Sequence, residues 1–168
     1  MYEEVPVTVA PLQQLTFALA DEEYGVDILA VREIRGWSRV TRIPQAPDYV
    51  LGVLNLRGAI VPVMDLRLRF GLVRESYNDT TVMIVVAIGE RLFGIVVDAV
   101  SDVIDIDPAA IKPVPDLGAV VDTDYLQGLV THDGHMVMLL DVEKLMRPED
   151  VETLDAALPG AREVEVAA

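Results

Sequence analysis

The sequence predicts an all-β protein with a few short helices, built from two small β-barrels that share a hydrophobic core. Two observations carry this prediction. Apolar, β-branched segments of strand length alternate with Gly, Asp, Asn and Pro turns along most of the chain. Two blocks of sequence also occur twice, in the same order. Apolar residues make up 52% of the 168, which is ample for a packed core.

The first repeated block is a hairpin followed by a short helix. We predict strands at residues 50–56 and 59–64, joined by a turn in which Gly58 takes a positive φ without a Cβ clash. Asp65 stands at a helix N-cap position, before a short helix at 66–70. The pattern recurs 76 residues later, where Tyr125, Gly128, Gly134 and Asp141 match Tyr49, Gly52, Gly58 and Asp65.

The second repeated block aligns residues 17–34 with residues 86–103, an offset of 69. Its matched positions include Tyr24 with Phe93, Gly25 with Gly94, Val31 with Val100, and Glu33 with Asp102. The two offsets differ by seven, so the second copy carries a longer loop between residues 105 and 124. Each copy of about five short strands is marginal alone, so we predict paired barrels with a shared apolar seam.

The remaining elements follow from local signals. Extended segments are predicted at 14–20, 24–29, 31–37, 81–88, 91–97 and 98–106, with one helical turn after Asp107 and helices at 141–146 and 148–158. The predicted organisation has a flexible N-terminus (1–11), one domain (12–147) and a C-terminal helix with an acidic tail (148–168). Within the domain, a polar stretch at 74–80 divides subdomains of about 12–78 and 79–147.

The charge and composition of the chain argue against several classes of function. The net charge is −15, and the acidic excess lies in the two tails and in residues 79–147. The acidic second half of the domain, residues 79–147, would repel nucleic-acid phosphates and anionic lipid. The chain has no cysteine, no membrane-length apolar run and an acidic N-terminus unlike a signal peptide. We therefore expect a soluble cytoplasmic protein without disulfides or thiolate metal sites.

No catalytic, cofactor or metal-binding constellation is expected. Phosphate-binding glycine loops and the nucleophile elbow are both missing from the sequence. His132 and His135 flank a turn, so we expect them to diverge rather than converge as zinc ligands do. Asp102, Asp105 and Asp107 alternate without the glycine and bidentate glutamate of an EF-hand, which indicates a solvated acidic face.

The remaining candidate residues suit the binding of a partner rather than catalysis. Arg32, Arg35, Arg39 and Arg42 surround Trp37, and contacts to protein suit this stretch better than nucleic acid, because only 5% of the chain is aromatic. Arg57 is either a solvated turn residue or the ion-pair partner of Glu33. Val31 and Val100 occupy equivalent repeat positions and are expected at the seam. Core packing is their default role, and a groove for a partner helix is the hypothesis.

One pattern extends over residues 21–29, 31–36, 52–67 and 94–103, within a stretch from about Leu15 to Met146. Its Asn-Leu-Arg-Gly hairpin, followed by Pro-Val-Met-Asp-Leu, is specific in combination. In these residues the sequence resembles a known family, CheW, the chemotaxis coupling proteins.

This resemblance implies two SH3-like five-stranded barrels packed on a common core, without catalysis or cofactor. It implies a cytoplasmic adaptor, recruited to membrane-associated receptor arrays, that joins the cytoplasmic tip of methyl-accepting chemoreceptors to the histidine kinase CheA. The receptor-binding groove it implies consists of Val31, Glu33, Arg57, Gly94 and Val100. The kinase-binding surface it implies consists of Arg35, Thr41, Ile43 and Gly52, with a second kinase or ring contact at Lys112 and Leu117.

Two other functions stay open. A detached regulatory domain of CheA would share the fold, although a start at Met1 with eleven lead-in residues and no ATP-binding motif favours the adaptor. A tandem-barrel nucleic-acid-binding module would share the architecture, and the acidic second half argues against it.

Overall fold

The computed structural model describes residues 12–73, 76–115 and 124–157. The strands in these residues are β1 (Leu12–Leu19), β2 (Glu22–Asp27), β3 (Val31–Gly36), β4 (Val50–Leu56), β5 (Ala59–Asp65), β6 (Val82–Ile88), β7 (Arg91–Val97), β8 (Ala99–Ile106), β9 (Leu126–His132) and β10 (His135–Leu140). The helices are α1 (Leu66–Arg69) and α2 (Pro148–Ala157), with 3₁₀ turns at Ile28–Ala30, Pro108–Ala110 and Val142–Lys144. The predicted all-β class with a few short helices is confirmed.

None of the helices in the described part of the chain combines the length and hydrophobicity needed to cross a bilayer. The predicted flexible N-terminus and the end of the acidic tail lie outside the described residues.

Across the described ranges, the strands form two five-stranded sheets with the same topology. Sheet A has the order β8-β1-β2-β10-β9, and sheet B has the order β3-β6-β7-β5-β4. Replacing each strand by its counterpart in the other repeat turns one order into the other. In each sheet one neighbouring pair is parallel, β10 with β2 in sheet A and β5 with β7 in sheet B. The repeat in the sequence is thus a structural pseudo-two-fold.

The two copies exchange their first hairpins. Sheet A combines β1 and β2 with β8–β10, and sheet B combines β3–β5 with β6 and β7. The subdomains expected at about 12–78 and 79–147 are therefore not the units that the sheets form. The physical reason is that β2 lies between β1 and β10, and β7 between β6 and β5, so neither strand has a free edge for the strand that follows it. The chain therefore crosses to the other sheet at the 3₁₀ turn Ile28–Ala30 and at Asp98.

Each sheet closes into a barrel through one short backbone pairing. Thr41 pairs with Val53 in barrel B, and Lys112 pairs with Leu129 in barrel A. Both pairings need a glycine beneath them. A Cβ on Gly52 would lie 2.0 Å from the carbonyl oxygen of Thr41, and one on Gly128 would lie 2.5 Å from Ile111 Cγ2. These close approaches explain the glycines matched by the first repeat.

The apolar residues divide into a shared core and two barrel interiors. In β6, Ile84 and Val86 point to the shared core between the sheets, whereas Met83 and Val85 point into barrel B. This alternation explains the uninterrupted apolar run at residues 82–88, because both faces of the strand are buried. The interior of barrel A is formed by Ile104, Ile106, Val130, Val137 and Leu139.

Tyr49 and Tyr125, which match in the first repeat, pack against the buried Arg69 at the seam between the barrels. The guanidinium of Arg69 lies 5.4 Å from the ring centroid of Tyr49 and 5.0 Å from that of Tyr125, within cation–π range. Its Nε donates a hydrogen bond to the carbonyl oxygen of Leu145. Tyr49 in turn donates a hydrogen bond to Asp150 of α2. Burial, and to a smaller extent this hydrogen bond, raises the pKa of Tyr49. Helix α2 thereby covers the seam.

Candidate functional site

Val31 and Val100 lie at equivalent places beside the shared core. Each stands at the beginning of an edge strand, β3 or β8, just after the chain has crossed between the sheets. Val31 pairs with Val86 and Val100 pairs with Phe17, and both valines are half-buried against the shared core. Their equivalence, expected from the repeat, is therefore present in three dimensions.

Two further apolar side chains continue this surface, and the sequence reasoning missed them. Ile34 is 46% exposed and Val103 is 44% exposed. Their cross-strand partners, Ile84 and Leu15, belong to the shared core, so Ile34 and Val103 lie on the same strand faces as Val31 and Val100. The signal was present in the sequence, because Ile34 and Val103 are the last matched pair of the second repeat.

Glu33 and Arg57 form an ion pair at the rim of barrel B. Arg57 Nη2 lies 2.8 Å from Glu33 Oε1, and Arg35 Nη1 lies 3.5 Å from Glu33 Oε2. The hydrogen bond from Arg57, with the nearby charges of Arg57 and Arg35, lowers the pKa of Glu33. Arg57 occupies the β4–β5 turn with a positive φ of 51°, and its side chain reaches Glu33 of β3. Of the two roles left open for Arg57, the structure shows the ion pair.

Gly94 lies inside barrel B and offers no surface. It pairs with Val85 on one side and Val63 on the other. A Cβ at this position would lie 3.3 Å from the side chains of both Met83 and Val63, tighter than ordinary van der Waals contact. A substitution at Gly94 would thus act through the packing of β7 rather than by removing a contact to a partner.

The expected kinase-binding residues lie around the closure of barrel B. Thr41 is exposed and exchanges two backbone hydrogen bonds with Val53, while Gly52 is buried beneath it. Arg35 is half-buried beside Glu33, and Ile43 packs partly against the shared core. Ile43 also borders a cleft of about 430 Å³. Three of these four residues therefore belong to one local structure, and Arg35 belongs to the neighbouring edge strand.

Lys112 occupies in barrel A the place that Thr41 occupies in barrel B. Its backbone exchanges two 2.8 Å hydrogen bonds with Leu129. Its side chain is exposed. Leu117, the other expected member of this contact, lies outside the described residues.

Trp37, the aromatic residue among the arginines at residues 32–42, already stacks on another aromatic ring. The ring of Trp37 stacks on Tyr77, with centroids 4.0 Å apart, and both rings pack against the interior of barrel B. One face of the indole is therefore not available to stack a nucleotide base.

The two histidines do not diverge, contrary to expectation. His132 and His135 are direct cross-strand partners, so their side chains lie on the same face of the β9–β10 hairpin. The turn between them is a two-residue one, which places its flanking residues opposite each other. Within the described ranges, no group of three His, Cys, Asp or Glu side chains is arranged to hold a metal.

The three aspartates of β8 and its end are exposed. Asp105 accepts a hydrogen bond from Gln13, Asp102 accepts from the N–H of Val103, and Asp107 caps the following 3₁₀ turn at Ala109. The solvated acidic face expected at these residues is confirmed.

Known proteins resemble this chain in sequence and in fold over most of its length. A family model described as the CheW-like domain matches residues 13–150. The chemotaxis protein CheW of Klebsiella aerogenes is 48% identical over 141 residues, covering 84% of this chain and 85% of the relative. The CheW of Rhizobium meliloti is 38% identical over 138 residues, covering 82% and 89%. The crystal structure of the scaffolding protein TtCheW from Thermoanaerobacter tengcongensis superposes with a TM-score of 0.76 at 35% identity, covering 83% of this chain and 95% of that chain.

Proposed function

Because the chain belongs to the CheW family of chemotaxis adaptors, we propose that it couples methyl-accepting chemoreceptors to the histidine kinase CheA and helps to scaffold their arrays. The observation that carries the proposal is the 48% identity to a CheW protein across 85% of that protein's length. Such an adaptor works by holding two partners together, so it needs binding surfaces and no catalytic residue. We propose that this chain acts without catalysis, in the cytoplasm, and reaches the membrane only through the receptors it binds.

The proposed receptor site is a groove bordered by the edge strands β3 and β8. Val31, Ile34, Val100 and Val103 supply its apolar surface, half-exposed and continuous with the shared core. A receptor tip is a helical hairpin, and a helix with an apolar face fits such a surface. Glu33 and Arg57 form a polar rim, while Gly94 keeps β7 close to its neighbours.

The proposed kinase site is the closure of barrel B, with Arg35, Thr41, Ile43 and Gly52. Gly52 supports this site indirectly, because it lets Thr41 approach β4. The proposed second contact, around Lys112 and Leu117, uses the equivalent closure of barrel A. The pseudo-two-fold thus supports two similar surfaces, one on each barrel, which suits a scaffold.

The test of the adaptor role is co-sedimentation. Membranes containing chemoreceptors are mixed with CheA, with and without this protein, and kinase autophosphorylation is read in the pellet. We expect CheA to be recruited and activated only when the protein is present. No recruitment by the folded protein would contradict the proposal.

The groove is tested by Val31→Asp. We expect binding to a soluble receptor-tip fragment to weaken by at least about tenfold, because a carboxylate would be desolvated beneath an apolar helix face. Binding to the CheA regulatory domain should be unchanged. Ile34→Asp, at a more exposed position, gives the same test with less risk to folding.

Val73→Asp is the matched control, since Val73 is 71% exposed in the segment after α1 and belongs to neither β3 nor β8. Folding of each variant is checked by its thermal transition. Retained receptor binding by both folded groove variants would contradict the groove assignment.

A further inference from the structure

The two barrels carry opposite charges at one equivalent position, the β4–β5 hairpin turn in barrel B and the β9–β10 hairpin turn in barrel A. In barrel B the β4–β5 turn holds Arg57, which pairs with Glu33 of β3. The counterparts in barrel A are Asp133 in the β9–β10 turn and Asp102 in β8. One fold position thus has an ion pair in barrel B and two carboxylates in barrel A. The difference lies in sequence alone, because the backbone places both pairs in the same elements.

The difference in charge between the barrels extends along the edge strands β3 and β8. The β3 edge carries Arg32 and Arg35 together with Arg57, and Glu33 is the single carboxylate among β3 residues. Arg32 is exposed, and its Nη1 donates a 2.8 Å hydrogen bond to the carbonyl oxygen of Leu29, which holds the guanidinium at the surface. The rim of barrel B beside the apolar residues is therefore positive.

The β8 edge is negative. Asp102, Asp105 and Asp107 are exposed, and the hydrogen bonds they accept come from neutral groups, two backbone N–H groups and the amide of Gln13. In the described portions of the chain, none of these three carboxylates is ion-paired with an arginine or lysine. Their charges are therefore available to a partner.

We infer that the receptor groove selects a helix by charge polarity, with acidic residues on the flank that faces barrel B and basic residues on the flank that faces barrel A. This inference rests on the proposed receptor-binding function. The apolar residues Val31, Ile34, Val100 and Val103 are similar on both sides, so hydrophobic contact alone gives a bound helix no preferred orientation. The opposite edges supply that preference, because a reversed helix would place like charges against both. Exposed charges contribute little affinity singly, so their main effect is on orientation and encounter.

The experiment measures binding of a soluble receptor-tip fragment at several salt concentrations to Arg32→Glu and to Asp105→Lys. We expect each charge reversal to weaken binding about three- to tenfold at low salt, and the loss to shrink as salt screens the charges. The matched controls are Lys144→Glu and Glu90→Lys, which make the same charge changes at exposed residues that belong to neither β3 nor β8.

The outcomes separate the two claims. No binding of the unaltered protein at any salt concentration would overturn the proposed function and this inference with it. Binding of the unaltered protein, with charge reversals at Arg32 and Asp105 that cost no more than their controls, would overturn the inference alone. A loss that does not change with salt would also overturn it, since the effect would then not be electrostatic.

Discussion

The pKa of Glu33 is lowered by Arg57, a residue 24 positions away in the sequence. Its ordinary pKa of 4.5 is lowered chiefly by the hydrogen bond from Arg57, with smaller charge effects from Arg57 and Arg35. Because the folded-state pKa is below the unfolded one, the ion pair stabilises the fold above the unfolded pKa and is lost as pH falls through the folded pKa. At neutral pH Glu33 is therefore ionised and able to pair with Arg57.

Removing the arginine should show this coupling directly. In Arg57→Ala we expect the pKa of Glu33 to rise to about its ordinary 4.5, because the two effects that remain, desolvation and the charge of Arg35, act in opposite directions. The measurement is an NMR titration of the Glu33 side-chain carboxyl, with Arg42→Ala as the control. An unchanged Glu33 titration in Arg57→Ala would contradict the pairing. The stability difference between Arg57→Ala and the unaltered protein should vanish in acid.

Residue pairing was only partly predictable from sequence. The Glu33–Arg57 pair was one of two open roles for Arg57, because no local pattern tells which strand a turn will face. His132 and His135 were misplaced for the opposite reason. Their separation suggested divergence, whereas the tight turn makes them direct partners.

At the scale of elements, hairpins with local signals were predicted well. Residues 50–56 and 91–97 form strands with the predicted boundaries. The turns at Gly58 and Gly134 have positive φ values of 93° and 80°. Asp65 and Asp107 cap helical turns by accepting backbone N–H groups two residues ahead. Each of these signals lies within a few residues, so the sequence contains all that is needed.

The closure of each barrel depends on long-range packing and was not predicted. Gly52→Ala should lower the free energy of unfolding by about 1–3 kcal/mol, because its Cβ would collide with Thr41 and disturb the pairing with Val53. Gly36→Ala is the control in the same sheet. No atom lies within 4 Å of its Cβ position, so we expect a change within about 0.5 kcal/mol. Equal effects of the two substitutions in urea unfolding would contradict the role of Gly52.

At the scale of the whole molecule, the repeat predicted two barrels and a shared core, but not which strands each barrel contains. Sequence similarity between the copies is the same whether the first hairpins are exchanged or kept. The parallel pairings of β2 with β10 and of β7 with β5 decide between these arrangements, and both join strands that are distant in the sequence. The boundary at residues 74–80 therefore lies between repeats, while both barrels draw on strands from either side of it.

Exchange makes the halves of the chain interdependent. We expect fragments 1–78 and 79–168 each to lack cooperative folding alone, because each fragment holds parts of both sheets and completes neither. Mixed in equal amounts, they should regain β-sheet circular dichroism and a thermal transition. A cooperative transition in either fragment alone would contradict this prediction.

The exchanged hairpins also impose an order on biosynthesis. The strands of sheet B have all been translated once Val97 is added, whereas sheet A still needs β8, β9 and β10, which end at Leu140. The β1–β2 hairpin leaves the ribosome first, yet its partner strands are among the last to be made. At about 5–20 residues per second, the nascent chain carries this apolar hairpin without its sheet for roughly ten seconds. During synthesis, the barrel that contains β1 and β2 is therefore the second to be completed.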